Sequence, residues 1–298
     1  MIGLGNLGIA YGHHLSKHIP RENLKIIADQ NRILRYERDG VYCNGERCDF
    51  RYVTPEKEGE PADLILITVK FQNLAEAISA IKNHVGDHTI ILSALNGISS
   101  EGMIGEAYGM DKVLYCVAQG MDGVKVGNRL TYDHIGMLCF GDGEEGVVSD
   151  KTRAVEAFFQ KTQLPHEMET DMMKRLWGKF MMNVGVNQTA SVYLCNYGGL
   201  QQEGAARNTM IAAMREVIPL SEKAGYPLTE EDLSYWLGVL GSLRPEGKPS
   251  MQQDMEGGKS TEVELFSGTV LALARKYGLE APVNQELYKK IKSMEFFD

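Results

Sequence analysis

The first eight residues of the chain, MIGLGNLG, constrain its fold more than any other stretch. Gly3, Gly5 and Gly8 form the pattern G-x-G-x-x-G at the start of a helical run, and the strand-like run LKIIAD follows. In a βαβ unit the first glycine permits a tight turn, the second lets the backbone approach a pyrophosphate, and the third lets the helix pack on the strand. The stretch therefore predicts a dinucleotide-binding unit, with a merely structural glycine-rich turn as the alternative.

The strand before this pattern is shorter than expected, because only Met1 and Ile2 precede Gly3. The first strand of such a unit lies at the centre of the sheet and usually has about five residues. We expect Met1 and Ile2 to be the end of that strand, and the natural protein to begin a few apolar residues upstream. If the strand is instead truly short, cofactor binding should be weakened.

The first half of the chain carries the pattern of a parallel sheet. Apolar, β-branched runs at 24–29, 63–70 and 89–95 alternate with runs of helical spacing, which predicts strands covered on both faces. Turn signals at 122–123 (Asp-Gly) and 127–128 (Gly-Asn) predict antiparallel strands that close this sheet.

After about residue 165 the strand signals end and the pattern is helical, interrupted by one long polar loop at 244–260. The helical patterns cover residues 171–193, 205–225, 229–242, 261–277 and 283–295. We predict an α/β fold class with two domains. A Rossmann-type doubly wound sheet at 1–164 is followed by an all-helical domain at 165–298, with a ligand cleft between them.

Composition excludes several classes of function. The formal net charge is -9 and no run of Lys or Arg is present, which argues against a nucleic-acid partner. No apolar stretch reaches the roughly 18 residues of a membrane span, and the start lacks the basic region of a signal peptide. The five cysteines lack metal-ligand spacing, so we expect reduced thiols in a cytoplasmic protein without a metal site.

Asp29 bears on the choice of dinucleotide, since it ends the second predicted strand about 20 residues after Gly8. A carboxylate there accepts hydrogen bonds from the ribose hydroxyls of NAD and repels the 2′-phosphate of NADP. Arg32 and Arg35 are close enough in sequence to offset that repulsion, and Lys70, at the end of a later strand, can pair with a phosphate. If these cations are only solvated, NAD is favoured.

A polar stripe on an otherwise apolar helix marks the second half. In MMKRLWGKFMMNVGVNQTASVY, Lys179, Asn183 and Asn187 stand at i, i+4 and i+8 on one face. Burying an unpartnered amide costs roughly 1–3 kcal/mol and an isolated ammonium far more, so the stripe needs a polar partner. We expect it to line a cleft and bind a ligand; a snorkelling lysine with two surface asparagines is the alternative. A partly desolvated lysine has a lowered pKa, which suits it to donate a proton in carbonyl reduction.

Three further polar positions have roles that the local pattern leaves open. Ser250 is expected in a loop, and Glu262 at the start of a helix with Ser260 or Thr261 as its N-cap. Glu262 is either a ligand contact or a complement to the helix dipole. Asn96 begins an Asn-Gly pair directly after a strand, where α/β sheets bind ligands but where Asn-Gly also makes simple turns.

Taken together, these residues resemble the ketopantoate reductase family over essentially the whole chain. The resemblance rests on the N-terminal GxGxxG, the VK that ends the fourth strand, the NG after the fifth, K-x3-N-x3-N on the first helix of the helical domain, and S-x11-E near the C-terminus. It implies a Rossmann domain followed by a helical domain like that of 6-phosphogluconate dehydrogenase. It also implies NADPH-dependent reduction of 2-dehydropantoate, a small 2-keto acid, to (R)-pantoate in pantothenate synthesis.

The resemblance implies a role for each matched residue. By matching position, Lys179 resembles the catalytic proton donor, and Glu262 resembles the acid that orients substrate and cofactor. The implied substrate-binding residues are Asn96, Asn183, Asn187 and Ser250. The implied cofactor-binding residues are Gly3, Gly5, Asn6, Leu7, Gly8, Asp29, Lys70, Asn96 and Glu262.

Asp29 departs from the family pattern, because members that prefer NADP usually carry a basic residue there. It is more similar to the NAD-preferring D-2-hydroxyacid dehydrogenases of the same superfamily. NAD(H) in place of NADP(H), with another bulky 2-keto acid as substrate, is therefore the alternative prediction. A non-catalytic dinucleotide sensor that keeps the fold is a third, and a homodimer is compatible with a pattern that does not determine the oligomeric state.

Overall fold

The structure, a computed structural model, describes residues 1–295 of the 298-residue chain. Within these residues the strands are β1 (Lys25–Ile27), β2 (Tyr42–Cys43), β3 (Glu46–Arg47), β4 (Arg51–Val53), β5 (Leu64–Ile67), β6 (Ile90–Ser93), β7 (Val113–Met121), β8 (Val124–Val126), β9 (Arg129–Thr131), β10 (Ile135–Gly141) and β11 (His166–Met168). The α-helices are α1 (Asn6–Ser16), α2 (Gln30–Asp39), α3 (Leu74–Ala80), α4 (Ser100–Tyr108), α5 (Asp150–Thr162), α6 (Met172–Tyr193), α7 (Tyr197–Gln201), α8 (Ala205–Arg215), α9 (Val217–Lys223), α10 (Glu230–Gly241), α11 (Ser250–Glu256), α12 (Thr269–Tyr277) and α13 (Pro282–Met294). Short 3-10 turns cover Arg21–Asn23, Phe71–Asn73, Lys82–His84 and Met110–Lys112, and a π-helical turn covers Glu264–Gly268.

The chain divides into two compact units. The first contains residues 1–95 and 99–173, and the second contains residues 96–98 together with the chain from residue 174 onward. The domain limits at 164 and 165 stay a prediction, and the last three residues of the predicted helical domain lie outside the described residues.

Ile2 completes the central sheet of the first unit. It pairs in parallel with Ile27 of β1 and with Ile67 of β5. Its N–H donates to the Leu66 carbonyl (3.0 Å), and its own carbonyl accepts from the N–H of Thr68 (2.9 Å). The strand order is therefore β4-β1-Ile2-β5-β6-β7, the order of the doubly wound dinucleotide-binding sheet. The two N-terminal residues thus lie in the row where the first strand is predicted.

Alternate residues of the central strands pack on opposite faces of this sheet. Ile26 and Leu66 belong to one apolar core, to which α1 and α5 contribute. Ile27 and Ile67 belong to the other core, to which α3 and α4 contribute. Helices therefore cover both faces, which confirms the predicted Rossmann-type fold.

Two more strands extend the sheet. β10 pairs antiparallel with β7, as predicted, and β11 pairs parallel with β10. β11 corrects the expectation that no strand follows about residue 165. Its three residues, HEM, lie at the sheet edge without apolar alternation, and only their pairing with β10 makes them a strand.

The predicted turns at 122–123 and 127–128 connect β7 to β8 and β8 to β9. The expectation that these strands close the main sheet is wrong for β8 and β9. They join β2 and β3 in a separate four-stranded sheet of order β3-β2-β9-β8.

The second unit is built around α6, in which every residue from 180 to 190 is buried. The helical pattern at 205–225 forms two helices, because Pro219 has no N–H to donate to the carbonyl of Arg215, where α8 ends. The predicted polar loop at 244–260 contains α11. Ser250 is the first residue of that helix, so the expectation of Ser250 in a loop is wrong.

The helical pattern at 261–277 begins with the π-helical turn, and Glu262 lies two residues before it. The expected N-cap at Ser260 or Thr261 is wrong, because Val263 is the N-cap residue of this turn and makes no side-chain cap hydrogen bond. The Thr261 hydroxyl oxygen instead accepts from the N–H of Val263 (3.3 Å), before the turn begins.

All five cysteines carry free thiols. Among residues 1–295, none of the helices combines the length and the apolar character needed to cross a bilayer. The same residues contain no cluster of three or more His, Cys, Asp or Glu side chains arranged to hold a metal ion.

Candidate active site

The fingerprint glycines are required for two different reasons. Gly3 has φ +98°, and a Cβ atom there would lie 2.8 Å from the carbonyl carbon of Thr68. A Cβ atom on Gly8 would lie 2.0 Å from the Gly3 oxygen. On Gly5 it would meet no atom closer than the Thr68 oxygen at 3.6 Å. Packing within the protein therefore explains Gly3 and Gly8, whereas the bare backbone at Gly5 leaves room for a ligand.

The N-terminus of α1 presents backbone N–H groups at this open position. Gly5 is its N-cap residue and has no side chain to cap it. The Thr68 hydroxyl donates to the Gly3 carbonyl (2.8 Å) and so holds the loop. The Asn6 amide donates to the Gly123 carbonyl (2.7 Å), while Leu7 packs on the apolar core. An uncapped, N–H-bearing helix end behind a glycine is suited to bind a pyrophosphate.

Asp29 has a structural task at the end of β1. One carboxylate oxygen accepts from the backbone N–H of Arg32 (2.9 Å) and caps α2, and the other lies 3.2 Å from the Arg32 guanidinium. Arg35 instead lies 5.3 Å from the ring centroid of Tyr36. Lys70 follows β5 and precedes a 3-10 turn. Arg32 therefore already offsets the charge of Asp29, which is one of the two possibilities that the sequence leaves open.

In the second unit a continuous chain of hydrogen bonds joins the five residues implied to bind or orient the substrate. The Asn96 amide donates to the Glu262 carboxylate (3.5 Å), and the Asn183 amide donates to the Asn96 oxygen (3.3 Å). The Asn187 amide donates to the Asn183 oxygen (3.3 Å), and the Ser250 hydroxyl donates to the Asn187 oxygen (3.3 Å). Residues from four separate segments of the chain thus meet at one polar line.

This polar line is buried in apolar surroundings. Asn183, Asn187 and Glu262 are 6%, 5% and 7% exposed, and Asn96 is half-buried. The side-chain amides hydrogen-bond to one another, and these bonds offset the free-energy cost of burying each amide alone. The alternative of two surface asparagines is therefore wrong. Lys179 is half-buried and lies one turn before Asn183 on the same face of α6.

Two local features hold the ends of this line. Gly97 has φ +93°, and a Cβ atom there would lie 2.5 Å from a methyl carbon of Leu265, so the turn after Asn96 requires glycine. At the other end, the Asn187 oxygen also accepts from the N–H of Met251 (3.2 Å), and this bond fixes the first turn of α11. The helix at Ser250 is therefore stabilised by a tertiary contact that its own sequence does not reveal.

Sequence reasoning missed one polar group next to this line. Gln188 is fully buried and directly follows Asn187, but it faces Ser267 and Asn284. In the sequence, Gln188 stands out only as a further polar residue in an apolar stretch of the helix, outside the i, i+4, i+8 stripe.

Comparison with known proteins finds relatives along the chain. A family model described as "Ketopantoate reductase PanE/ApbA" matches residues 1–137, and one described as "Ketopantoate reductase PanE/ApbA C terminal" matches residues 171–295. The 2-dehydropantoate 2-reductase of Aquifex aeolicus (strain VF5) is 25% identical over 303 residues, which cover 100% of this chain and 97% of that protein.

Solved structures share the fold at lower identity. A dimeric ketopantoate reductase from Staphylococcus aureus matches with a TM-score of 0.80 at 20% identity, over 99% of this chain and 97% of that chain. D-mandelate dehydrogenase in a ternary complex with NADH and anilino(oxo)acetate matches with a TM-score of 0.86 at 18% identity, over the same shares.

Proposed function

The chain belongs to the ketopantoate reductase family, and from that premise we propose that it reduces 2-dehydropantoate to (R)-pantoate with a nicotinamide cofactor, in pantothenate synthesis. The observation that carries the proposal is the buried line from Glu262 through Asn96, Asn183 and Asn187 to Ser250.

The chemistry of that line suits a polar keto acid. The side-chain amide nitrogen of each asparagine carries two hydrogens, and the hydrogen bonds of the polar line use one of them. The second N–H of each amide can therefore donate to a carboxylate or ketone oxygen of the substrate. The Ser250 hydroxyl, which is exposed, both donates and accepts. Groups already held in place by one another lose little freedom when they bind substrate, so binding energy goes into orientation.

Lys179 is the proposed proton donor. When bound, a nicotinamide cofactor would supply the hydride that the carbonyl carbon receives. The Lys179 ammonium gives its proton to the carbonyl oxygen, which becomes the hydroxyl of the product. Glu262 and Asn96 orient the substrate beside that ammonium.

The residues of the first unit fit a dinucleotide. Gly3, Gly5, Asn6, Leu7 and Gly8 form the turn and the uncapped start of α1, where the pyrophosphate would lie. We propose NAD(P)H as the cofactor, with Asp29 and Arg32 as the pair that sets the preference. The Asp29 carboxylate favours NADH, whereas the Arg32 guanidinium, 3.2 Å from that carboxylate, is the cation proposed to receive a 2′-phosphate. Lys70 is the proposed second cation for the cofactor.

A D-2-hydroxyacid dehydrogenase acting on another bulky 2-keto acid is the second candidate. Asp29 favours it, because a carboxylate at the end of this strand is the NAD-type arrangement. Relative rates with 2-dehydropantoate and 2-ketoisocaproate separate the two candidates.

We also propose a homodimer in the cytoplasm, with domains at 1–164 and 165–298. The dimeric Staphylococcus aureus relative supports the dimer, and the five free thiols support a reducing compartment. Light scattering of the purified protein measures the oligomeric state.

The experiment that tests the proposed function compares two lysines on α6. Lys179→Ala should lower kcat with 2-dehydropantoate by about 100-fold or more while leaving the Kd of the reduced cofactor within about twofold. Lys174→Ala, which removes an exposed lysine 3.2 Å from Asp232, is the control and should keep kcat. Equal losses in the two variants would contradict the assignment, and absence of any turnover in the wild type would favour a dinucleotide sensor.

A further inference from the structure

The turn that follows Glu262 contains one residue more than an α-helical turn. The N–H of Gly268 donates to the Val263 carbonyl (3.0 Å), and the N–H of Thr269 donates to the Glu264 carbonyl, each five residues back. Such π-helical turns are rare and are frequently found at functional sites. One extra residue rotates everything before it by about 100° relative to an uninterrupted helix. The turn therefore determines the direction in which Glu262 points.

Gln188 accepts a hydrogen bond from a backbone N–H that has no α-helical partner in this turn. In an α-helix the N–H of Ser267 would donate to the Val263 carbonyl. Here it donates to the side-chain oxygen of Gln188 (3.2 Å), which lies on α6 and is 0% exposed. If that acceptor is removed, a buried N–H is left unpaired and the α-helical register becomes the better alternative.

A carboxylate sets the orientation of the Gln188 amide. Glu216 accepts from the backbone N–H of Val283 (2.8 Å) and from the side-chain amide of Asn284 (2.8 Å). Since the Glu216 oxygens accept these N–H groups, Asn284 turns its NH2 to Glu216 and its oxygen away. That oxygen accepts from the Gln188 amide (3.2 Å) and from the Ser267 hydroxyl (3.1 Å). Gln188 is thus left with its oxygen facing the turn.

We propose that Gln188 is a positioning residue, which holds the π-helical turn open and thereby keeps Glu262 against Asn96. Gln188 acts through the turn and does not touch the substrate. Leu265 of the same turn packs on Gly97, which follows Asn96. The register of the turn therefore affects both the Leu265–Gly97 contact and the Glu262–Asn96 hydrogen bond. This inference rests on the proposed function of Glu262.

The test is a double-mutant cycle between Gln188 and Glu262. Gln188→Met keeps the volume and removes the acceptor. It should lower kcat/KM for 2-dehydropantoate by about tenfold or more, mostly by raising KM, with the Kd for reduced cofactor unchanged. In a Glu262→Gln background the same change should cost less than about twofold, because there is no carboxylate left to misplace. The control is Thr189→Val, since Thr189 is 0% exposed and its hydroxyl has no hydrogen-bond partner among the described residues. It should keep wild-type kinetics.

Gln188→Asn guards against a folding failure of the methionine variant. It keeps a buried amide but is one methylene too short to reach Ser267, so the same loss in kcat/KM is expected. Equal, additive losses in both backgrounds, or wild-type kinetics in Gln188→Asn, would overturn the positioning role and leave the proposed function standing. If Glu262→Gln alone keeps wild-type kcat/KM, both the role of Glu262 and this inference are wrong.

Discussion

Replacing Asn187 by alanine removes the acceptor at which two elements of the helical unit meet. The Asn187 oxygen accepts from the backbone N–H of Met251 (3.2 Å), and the Asn187 amide donates to the Asn183 oxygen (3.3 Å). Both partners are buried, so each is left unpaired. A buried unpaired group costs about 1–3 kcal/mol. For the two groups together we therefore expect the free energy of unfolding to fall by about 2–6 kcal/mol, a large part of a typical total of about 5–15 kcal/mol.

Urea unfolding followed by circular dichroism measures this loss, with the m-value as a check that the transition keeps its character. The control is Ser191→Ala, one turn further along α6. Ser191 is equally buried, but its hydroxyl only donates back to the Asn187 backbone carbonyl (2.9 Å), and we expect a cost of about 1 kcal/mol or less. The same Asn187 variant should raise the KM for substrate. Equal losses of stability in the two variants would refute the inference that the Asn187 side chain of the polar line stabilises α11.

Three further outcomes are expected. Gly5→Ala should weaken the binding of reduced cofactor about tenfold or more while costing less than about 1 kcal/mol of stability. Gly8→Ala should instead destabilise the fold, because its Cβ would lie 2.0 Å from a backbone oxygen. The cofactor Kd, measured by fluorescence, and the Tm distinguish the two effects. Gly97→Ala should lower kcat/KM, because both its φ of +93° and Leu265 oppose a side chain; kinetics equal to wild type would contradict the required turn. Burial raises the pKa of Glu101 to about 7 from 4.5, so the folded state holds its proton longer and stability should fall between about pH 4.5 and 7, by about 3 kcal/mol in all. Glu101→Gln should flatten that slope in urea unfolding measured across this range, and an unchanged slope would refute it.

The parts of the fold that follow local rules were predictable. The glycine pattern requires a strand, a tight turn and a helix, and Ile2 does pair with both neighbouring strands. The stripe of Asn183 and Asn187 on an apolar helix predicted partners, since burying amides alone is too costly. Those partners are Asn96 and Ser250, which are distant in sequence and identifiable beforehand only by family resemblance.

The parts that depend on distant contacts were not predictable. α11 begins at Ser250 because the side chain of Asn187 accepts from its first turn. β11 forms because β10 offers an edge. The π-helical turn depends on Gln188, whose side-chain oxygen accepts from the N–H of Ser267, 79 residues further along the chain. No local pattern signals such a turn, because its extra residue is stabilised from outside the helix.

The measurement that tests the central claim most directly is the steady-state kcat/KM of the wild-type protein with 2-dehydropantoate and with 2-ketoisocaproate, each with NADH and with NADPH. We predict that 2-dehydropantoate is preferred with either cofactor, and that the preferred cofactor changes toward NADPH when Asp29 is replaced by asparagine, because the carboxylate then no longer repels the 2′-phosphate. A clear preference for 2-ketoisocaproate would contradict the proposed substrate and favour a D-2-hydroxyacid dehydrogenase.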